Sequence, residues 1–158
     1  MSDMLTAAIR TAALGLLARR EHSRDELLQK LLKRFRDSDD STCAYIPAVL
    51  DDLESKNYQS DSRFAEAYVK HRADSGKGPL RIIQELRERG VSEHLIDAFV
   101  VSDDERWELM AADIAHRRFS KVKDGSDNDT KKKLQGKQLR FLQYRGFTFD
   151  QINRVISL

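Results

Sequence analysis

Side chains that could hold a metal, move a proton or attack an electrophile stand apart from one another in this 158-residue chain. The four histidines, His22, His71, His94 and His116, lie at wide separations. None sits at an H-x-x-x-H or C-x-x-C spacing, which would set two ligands on one helix face. Histidines that are exposed or packed between helices are the favoured reading. Cys43 is the sole cysteine, which excludes an intramolecular disulfide and fits a reducing compartment. No G-x-S-x-G elbow is present. No catalytic constellation and no metal set emerges, so neither an enzyme nor a cofactor is expected.

Gly76-Lys77-Gly78-Pro79 invites a phosphate-loop reading, but the full G-x-x-x-x-G-K-[ST] signature is missing and no strand precedes it. A tight break between two helices is favoured. A weak anion contact at the following helix N-terminus, aided by Lys77 and Arg81, is the alternative.

Cations carry the stronger signal. Lys and Arg number 28 against 26 Asp and Glu, a net charge of +2, so no global basic field exists. The signs are nevertheless segregated. Arg19, Arg20, Arg24, Lys30, Lys33, Arg34 and Arg36 form one block, and Lys131, Lys132, Lys133, Lys137, Arg140 and Arg145 another. Acids gather at Asp37, Asp39 and Asp40, at Asp51, Asp52 and Glu54, and at Asp103, Asp104 and Glu105. Such patches can steer a polyanion; solvated helix faces with internal pairs are the alternative. Arg81, Arg87 and Arg89 alternate with Glu85 and Glu88, which predicts local pairing. Lys131 to Lys137 has no glutamate to pair with locally and is the better polyanion candidate, giving affinity without sequence specificity. Tyr58, Tyr144, Phe147 and Phe149 could stack on bases, although the phenylalanines read better as core or staple residues.

The elements that hold these residues follow a helical period, and alternating strand patterns are absent. Leu5, Ala8, Ile9, Ala12, Leu16 and Leu17 mark the first helix. Ser23 and Glu26 form a capping box ahead of Leu27, Leu28, Leu31, Leu32 and Phe35. The polar run 36–42 leads to a helix with Ile46, Val49, Leu50 and Leu53, where Pro47 must lie in the first turn. A helix from Ser60 or Asp61 carries Phe64, Ala67, Tyr68 and Val69 and ends near Gly76. Pro79 opens the next, with Ile82, Ile83 and Leu86, and Gly90 terminates it. Val91, Ser92 and Ile96 read as staple, cap and staple partner of another. Ser102 with Glu105 predicts a capping box before Trp107, Met110, Ala111 and Ile114. A polar loop is expected over 120–130 and a basic helix to Arg145, closed by Gly146. Phe147, Thr148 and Ile152 repeat the staple and cap of a last helix.

The register repeats. Leu31, Leu86 and Leu142 are spaced by 55 and 56 positions, and Arg34, Arg89 and Arg145 follow each by three. Gly90 matches Gly146, Ser92 matches Thr148 and Ile96 matches Ile152, whereas Phe35 replaces the glycine in the first copy. The expected architecture is all-α, three tandem three-helix repeats in an elongated, curved arrangement: 1–56, 57–101 with the Gly-Lys-Gly-Pro break, and 102–158 with the basic helix. Hydrophobic residues at 40% and charged residues at 34% fit an elongated helical body. The longest apolar stretch, 12–18, is too short to span a bilayer, and no secretory pattern opens the chain, so a cytoplasmic protein is expected.

Several of these segments together resemble the bacterial regulatory protein RecX family. They are Arg20-Glu21-His22-Ser23-x-x-Glu26-Leu27-x-x-Lys30-Leu31, Asp61-Ser62-Arg63-Phe64-Ala65, Gly76-Lys77-Gly78-Pro79-x-Arg81-Ile82, Glu85-Leu86-x-x-Arg89-Gly90-Val91-Ser92 and Arg140-Phe141-Leu142-x-Tyr144-Arg145-Gly146-Phe147. The likeness spans nearly the whole chain. One departure is local: where the family commonly has Gly-Tyr-Leu-Asp-Asp, this chain has Asn57-Tyr58-Gln59-Ser60-Asp61, so Gln59 forgoes an apolar anchor.

The resemblance implies a non-enzymatic inhibitor of the RecA recombinase, acting in recombinational DNA repair by binding the filament that RecA forms on single-stranded DNA. Arg63, Arg72, Lys77, Arg81 and Arg89 are the candidates for a central contact surface. Lys131, Lys132, Lys133, Lys137, Arg140 and Arg145 are the candidates to reach acidic subunit faces or DNA phosphates. A monomer with weak DNA affinity of its own is expected. The alternative is a helical protein that binds nucleic acid without any protein partner.

Overall fold

Several helix starts in this chain coincide with side chains that replace missing backbone partners. Ser23 Oγ accepts from the Glu26 N–H (3.0 Å) and a Glu26 carboxylate oxygen accepts from the Ser23 N–H (3.4 Å), closing both arms of the predicted box. Thr148 and Gln151 do the same at the last helix, at 3.2 and 2.9 Å. The computed structural model describes residues 1–38, 40–120 and 127–156, and all regular structure among them is helical. In chain order these are α1 (Ser2–Leu17), α2 (Arg24–Arg34), α3 (Asp40–Cys43), α4 (Ile46–Ser55), α5 (Asp61–Asp74), α6 (Pro79–Glu88), α7 (Glu93–Phe99), α8 (Glu105–Phe119), α9 (Asn128–Arg145) and α10 (Phe149–Ile156).

The chain divides into two compact units, Met1–Tyr68 with Leu86–Ile96, and Val69–Glu85 with Asp97–Leu158. In the first, Ile9, Ala12 and Ala13 of α1, Leu27 and Leu31 of α2, and Ile46, Val49, Leu50 and Leu53 of α4 form one core. Each fully buried leucine there contributes roughly 2–3 kcal/mol. Pro47 lies in the first turn of α4, where its missing N–H costs nothing. In the second unit, Trp107, Ala111 and Ala115 of α8, Leu142 of α9 and Ile152 of α10 are buried, with Phe147 beside them in the chain's turn into α10. The Trp107 ring N–H donates to the Val101 carbonyl (2.9 Å) and the buried Gln151 amide donates to that of Ser102 (2.7 Å).

The repeat positions carry equivalent duties. Leu31, Leu86 and Leu142 are all fully buried, as nearly are Ile96 and Ile152. Gly90 and Gly146 both take left-handed backbone, whereas Phe35 ends α2 at a φ of −101°.

Four readings change. The cap of α8 is Asp104, whose carboxylate accepts from the Arg106 N–H (2.9 Å), while Ser102 lends only its carbonyl. The polar run after α2 contains the short α3; Asp39 of its acidic cluster lies outside the described residues. Asn128–Thr130 belong to α9, capped by Asp127, and 121–126 of the expected loop lie outside the described residues. Gln59 does more than forgo an apolar contact. It is buried, and its amide donates to the His22 carbonyl (3.3 Å) and to Asp61 Oδ1 (2.9 Å), next to the left-handed Asn57.

His22 is buried beside that link. Its Nδ1 faces the Arg20 carbonyl at 3.0 Å, which can only accept, so Nδ1 bears the proton and Nε2 is left to the Lys30 ammonium at 3.4 Å. Burial lowers its pKa below 6.5, helped by the positive charges of Arg20 and Lys30 and opposed by the Arg20 carbonyl and Glu26. The unfolded chain therefore binds more protons than the folded one below about pH 6.5, and stability falls as pH drops through that window. Urea midpoints at pH 7.5 and 5.5 should show a larger loss for the natural chain than for His22→Gln. Equal losses would show that His22 does not titrate unfavourably.

Candidate functional site

The Gly-Lys-Gly-Pro break is built into the second unit as a docking joint. The Gly78 N–H donates to the Arg145 carbonyl (2.7 Å) and the Leu80 N–H to the Gly146 carbonyl (2.9 Å). Pro79 between them has no N–H to leave unpaired. Two donors that an anion would need at this helix start are thus taken by the turn between α9 and α10, in keeping with the tight-break reading. Backbone approach is close enough that a Cβ on Gly78 would stand 2.4 Å from the Gly146 carbonyl carbon.

Around that joint the fold gathers four of the candidate cations. Arg72 forms a two-pronged pair with Glu85 (2.8 and 2.7 Å), and Arg81 donates to the same carboxylate at 3.2 Å. Arg81 also reaches the Tyr144 carbonyl (3.3 Å) and lies 5.2 Å from the centre of the Tyr144 ring. Arg145 donates to the Ser75 carbonyl (3.2 Å) and lies over the Phe141 ring at 5.0 Å. Lys77 is partly withdrawn from water; that burial, with Arg145, Arg81 and Arg72 nearby and only Glu85 opposing, lowers its pKa. The Glu85 carboxylate is shared by Arg72 and Arg81 and also faces Lys77.

Arg63 and Arg89 belong to the first unit and are also engaged. Arg63 pairs with Glu21 (3.0 Å) and bonds the Asn57 side chain (2.9 Å) and the Tyr58 carbonyl (3.2 Å). Arg89 lies over the Tyr68 ring at 4.7 Å, and its carbonyl accepts from Ser23 Oγ at 2.7 Å. All four predicted central arginines are therefore tied into the fold.

The first half of α9 differs. Lys131, Lys132, Lys133, Lys137 and Arg140 are exposed and pair with no carboxylate among the described residues. Leu142 is the one buried residue of this 18-residue helix, so packing holds its C-terminal end and leaves the lysine-rich end in water. Arg118, at the end of α8, faces the same region, and reading the sequence by helix blocks did not single it out. Phe147 is buried as expected. Phe149 is not a core residue: it is 71% exposed and Tyr144 75%, because the α10 stripe that is buried runs through Gln151 and Ile152.

Comparison with known proteins decides the family. A model described as RecX, second three-helix domain, matches residues 60–99, and one described as RecX, third three-helix domain, matches 104–156. A Regulatory protein RecX of Halorhodospira halophila is 43% identical over 145 residues, covering 92% of this chain and 84% of that one. The chain belongs to the RecX family. Another RecX, from Vibrio campbellii, is 36% identical over 153 residues, with 96% and 92% covered. The crystal structure of RecX from Lactobacillus salivarius superposes with a TM-score of 0.79 at 23% identity, over 99% of this chain and 97% of that one, a likeness of fold. In RecX terms, the docking joint links the stretch matched as the second domain to that matched as the third. The unpaired cations lie wholly in the third. No helix among the described residues is long and apolar enough to cross a membrane.

Proposed function

We propose that this chain regulates the RecA recombinase without chemistry of its own, by binding the filament that RecA forms on single-stranded DNA and limiting its recombinase and ATPase activities. The observation that carries the reading is the row of exposed cations on α9, unpaired among the described residues, in a RecX-family chain. A nucleoprotein filament repeats phosphates and subunit faces along its length, so several modest contacts add through effective concentration. Arg72, Arg81 and Arg145 brace the second unit through their internal partners, with Lys77 adding positive charge beside them, while Arg63 and Arg89 are braced within the first unit. Lys131, Lys132, Lys133, Lys137 and Arg140 make the outward contact. Exposed Tyr144, with Arg81 against its ring, has the aromatic and arginine composition of an interface anchor. Inhibition then follows from higher affinity for one filament state than for another.

Reversing Lys132, Lys133 and Lys137 to glutamate tests it. All three are exposed, so stability should change by no more than about 0.5 kcal/mol each. The concentration needed to halve the DNA-stimulated ATP hydrolysis of the recombinase should rise at least about tenfold at 0.15 M salt. Unchanged inhibition would remove the α9 row from the mechanism. Tight, steeply salt-dependent DNA binding with no effect on the recombinase would favour a stand-alone nucleic-acid binder instead.

A further inference from the structure

Between the C-terminal end of α8 and the lysine-rich half of α9 lies an open cavity of about 540 Å³. Arg118, Lys133, Lys137 and Arg140 line it, and no carboxylate does among the described residues. Its apolar wall includes Phe119 and Phe141, whose rings meet edge to face with centres 5.6 Å apart. Four cations converging on one cavity repel each other, and solvent anions or a bound polyanion relieve that.

We propose that this cavity seats one nucleotide of a single-stranded nucleic acid, its phosphate among Lys133, Lys137, Arg140 and Arg118 and its base against the Phe119–Phe141 pair. This deepens the reading above and rests on it for taking the anion to be nucleic acid. An acidic peptide would satisfy the cations but leave the aromatic wall unused. A nucleotide supplies both a charged group and a flat π face, and stacking of this kind tolerates any base. The volume lies within the range of small-ligand sites.

The test uses the full chain without recombinase and fluorescence anisotropy on three 12-mers: oligo-dT, oligo-rU and an abasic DNA of equal charge. The natural chain should prefer oligo-dT over the abasic strand about tenfold. Phe119→Leu should erase that preference and leave the salt dependence intact. Lys137→Gln should weaken both DNA strands alike and reduce the slope of log affinity on log salt by about 0.7. Binding of oligo-rU with the same Phe119 dependence would extend the pocket to RNA, and its loss would restrict the pocket to DNA. Equal binding of oligo-dT and the abasic strand by the natural chain overturns the proposal, as does a base preference that survives both Phe119→Leu and Phe141→Leu. Arg118→Gln, at an exposed position, keeps the test decisive should a phenylalanine variant fold poorly: it should weaken all strands. Inhibition of recombinase ATP hydrolysis is measured in parallel. Inhibition without base preference sinks the pocket and spares the filament reading; base preference without inhibition does the reverse.

Discussion

Gly78→Ala should lower stability by about 3 kcal/mol, more than alanine at the left-handed Gly76. The Cβ added at Gly78 would meet three backbone atoms, the Gly146 carbonyl carbon at 2.4 Å, its oxygen at 2.5 Å and the Phe147 nitrogen at 2.5 Å. Backbone cannot rotate aside as a side chain can. The loop must lift, weakening the two hydrogen bonds that dock it on Arg145 and Gly146. Overpacking of this kind costs about 1–3 kcal/mol, and each bond adds about 1. Gly76 has a φ of +81°, yet a Cβ there meets only the ends of Arg145 (2.9 Å) and Ile114 (3.2 Å) side chains, which can shift. Its cost is the left-handed backbone alone, about 1–2 kcal/mol. Thermal and urea unfolding of the two variants checks the ranking. The reverse order would mean that close docking does not constrain this glycine.

Glu85→Ala should cost about 2 kcal/mol. Arg72 and Arg81 would lose the carboxylate they share, while Lys77 and Arg145 remain close by. Breaking a buried pair by removing one partner costs about 3–5 kcal/mol, which partial exposure of these groups reduces: Glu85 is 14% exposed, Arg72 22% and Arg81 31%. Two further outcomes separate electrostatics from lost packing. Adding sulfate should recover part of the loss in Glu85→Ala and none in the natural chain beyond the general salt effect. The double variant Arg72→Ala with Glu85→Ala should be less damaged than the sum of the single ones. An additive double variant with no sulfate response would show that Glu85 acts by packing.

Both predictions concern contacts that no local pattern announces. Ser23 with Glu26 was readable because the two arms of a capping box lie three residues apart. Gly90 and Gly146 were readable as left-handed terminators because helix periodicity stops there. The cap of α8 was not, since Ser102, Asp104 and Glu105 all offer plausible cap chemistry and only the turn at Val101 selects Asp104. Phe149 misled because its hydrophobicity says nothing of which side of a two-turn helix meets the core.

The same distinction separates the two groups of candidate cations. Helical period, caps, the 55-residue register and the family likeness are properties of short segments, and local sterics and hydrogen bonding express them directly. Which arginines stay available is a property of chain closure. Arg63 finds Glu21 across 42 positions, Arg81 finds the Tyr144 carbonyl across 63, and Arg145 finds that of Ser75 across 70. Those partners become neighbours only after hydrophobic packing has brought the helices together, because charge at such separations along an unfolded chain is screened within about a Debye length. The lysines of α9 needed no such closure to be recognised, as the run from Lys131 to Lys137 itself contains no acid. That Lys133 and Lys137 line a cavity with Arg118, Phe119 and Phe141 was decided by the packing of α8 beside α9.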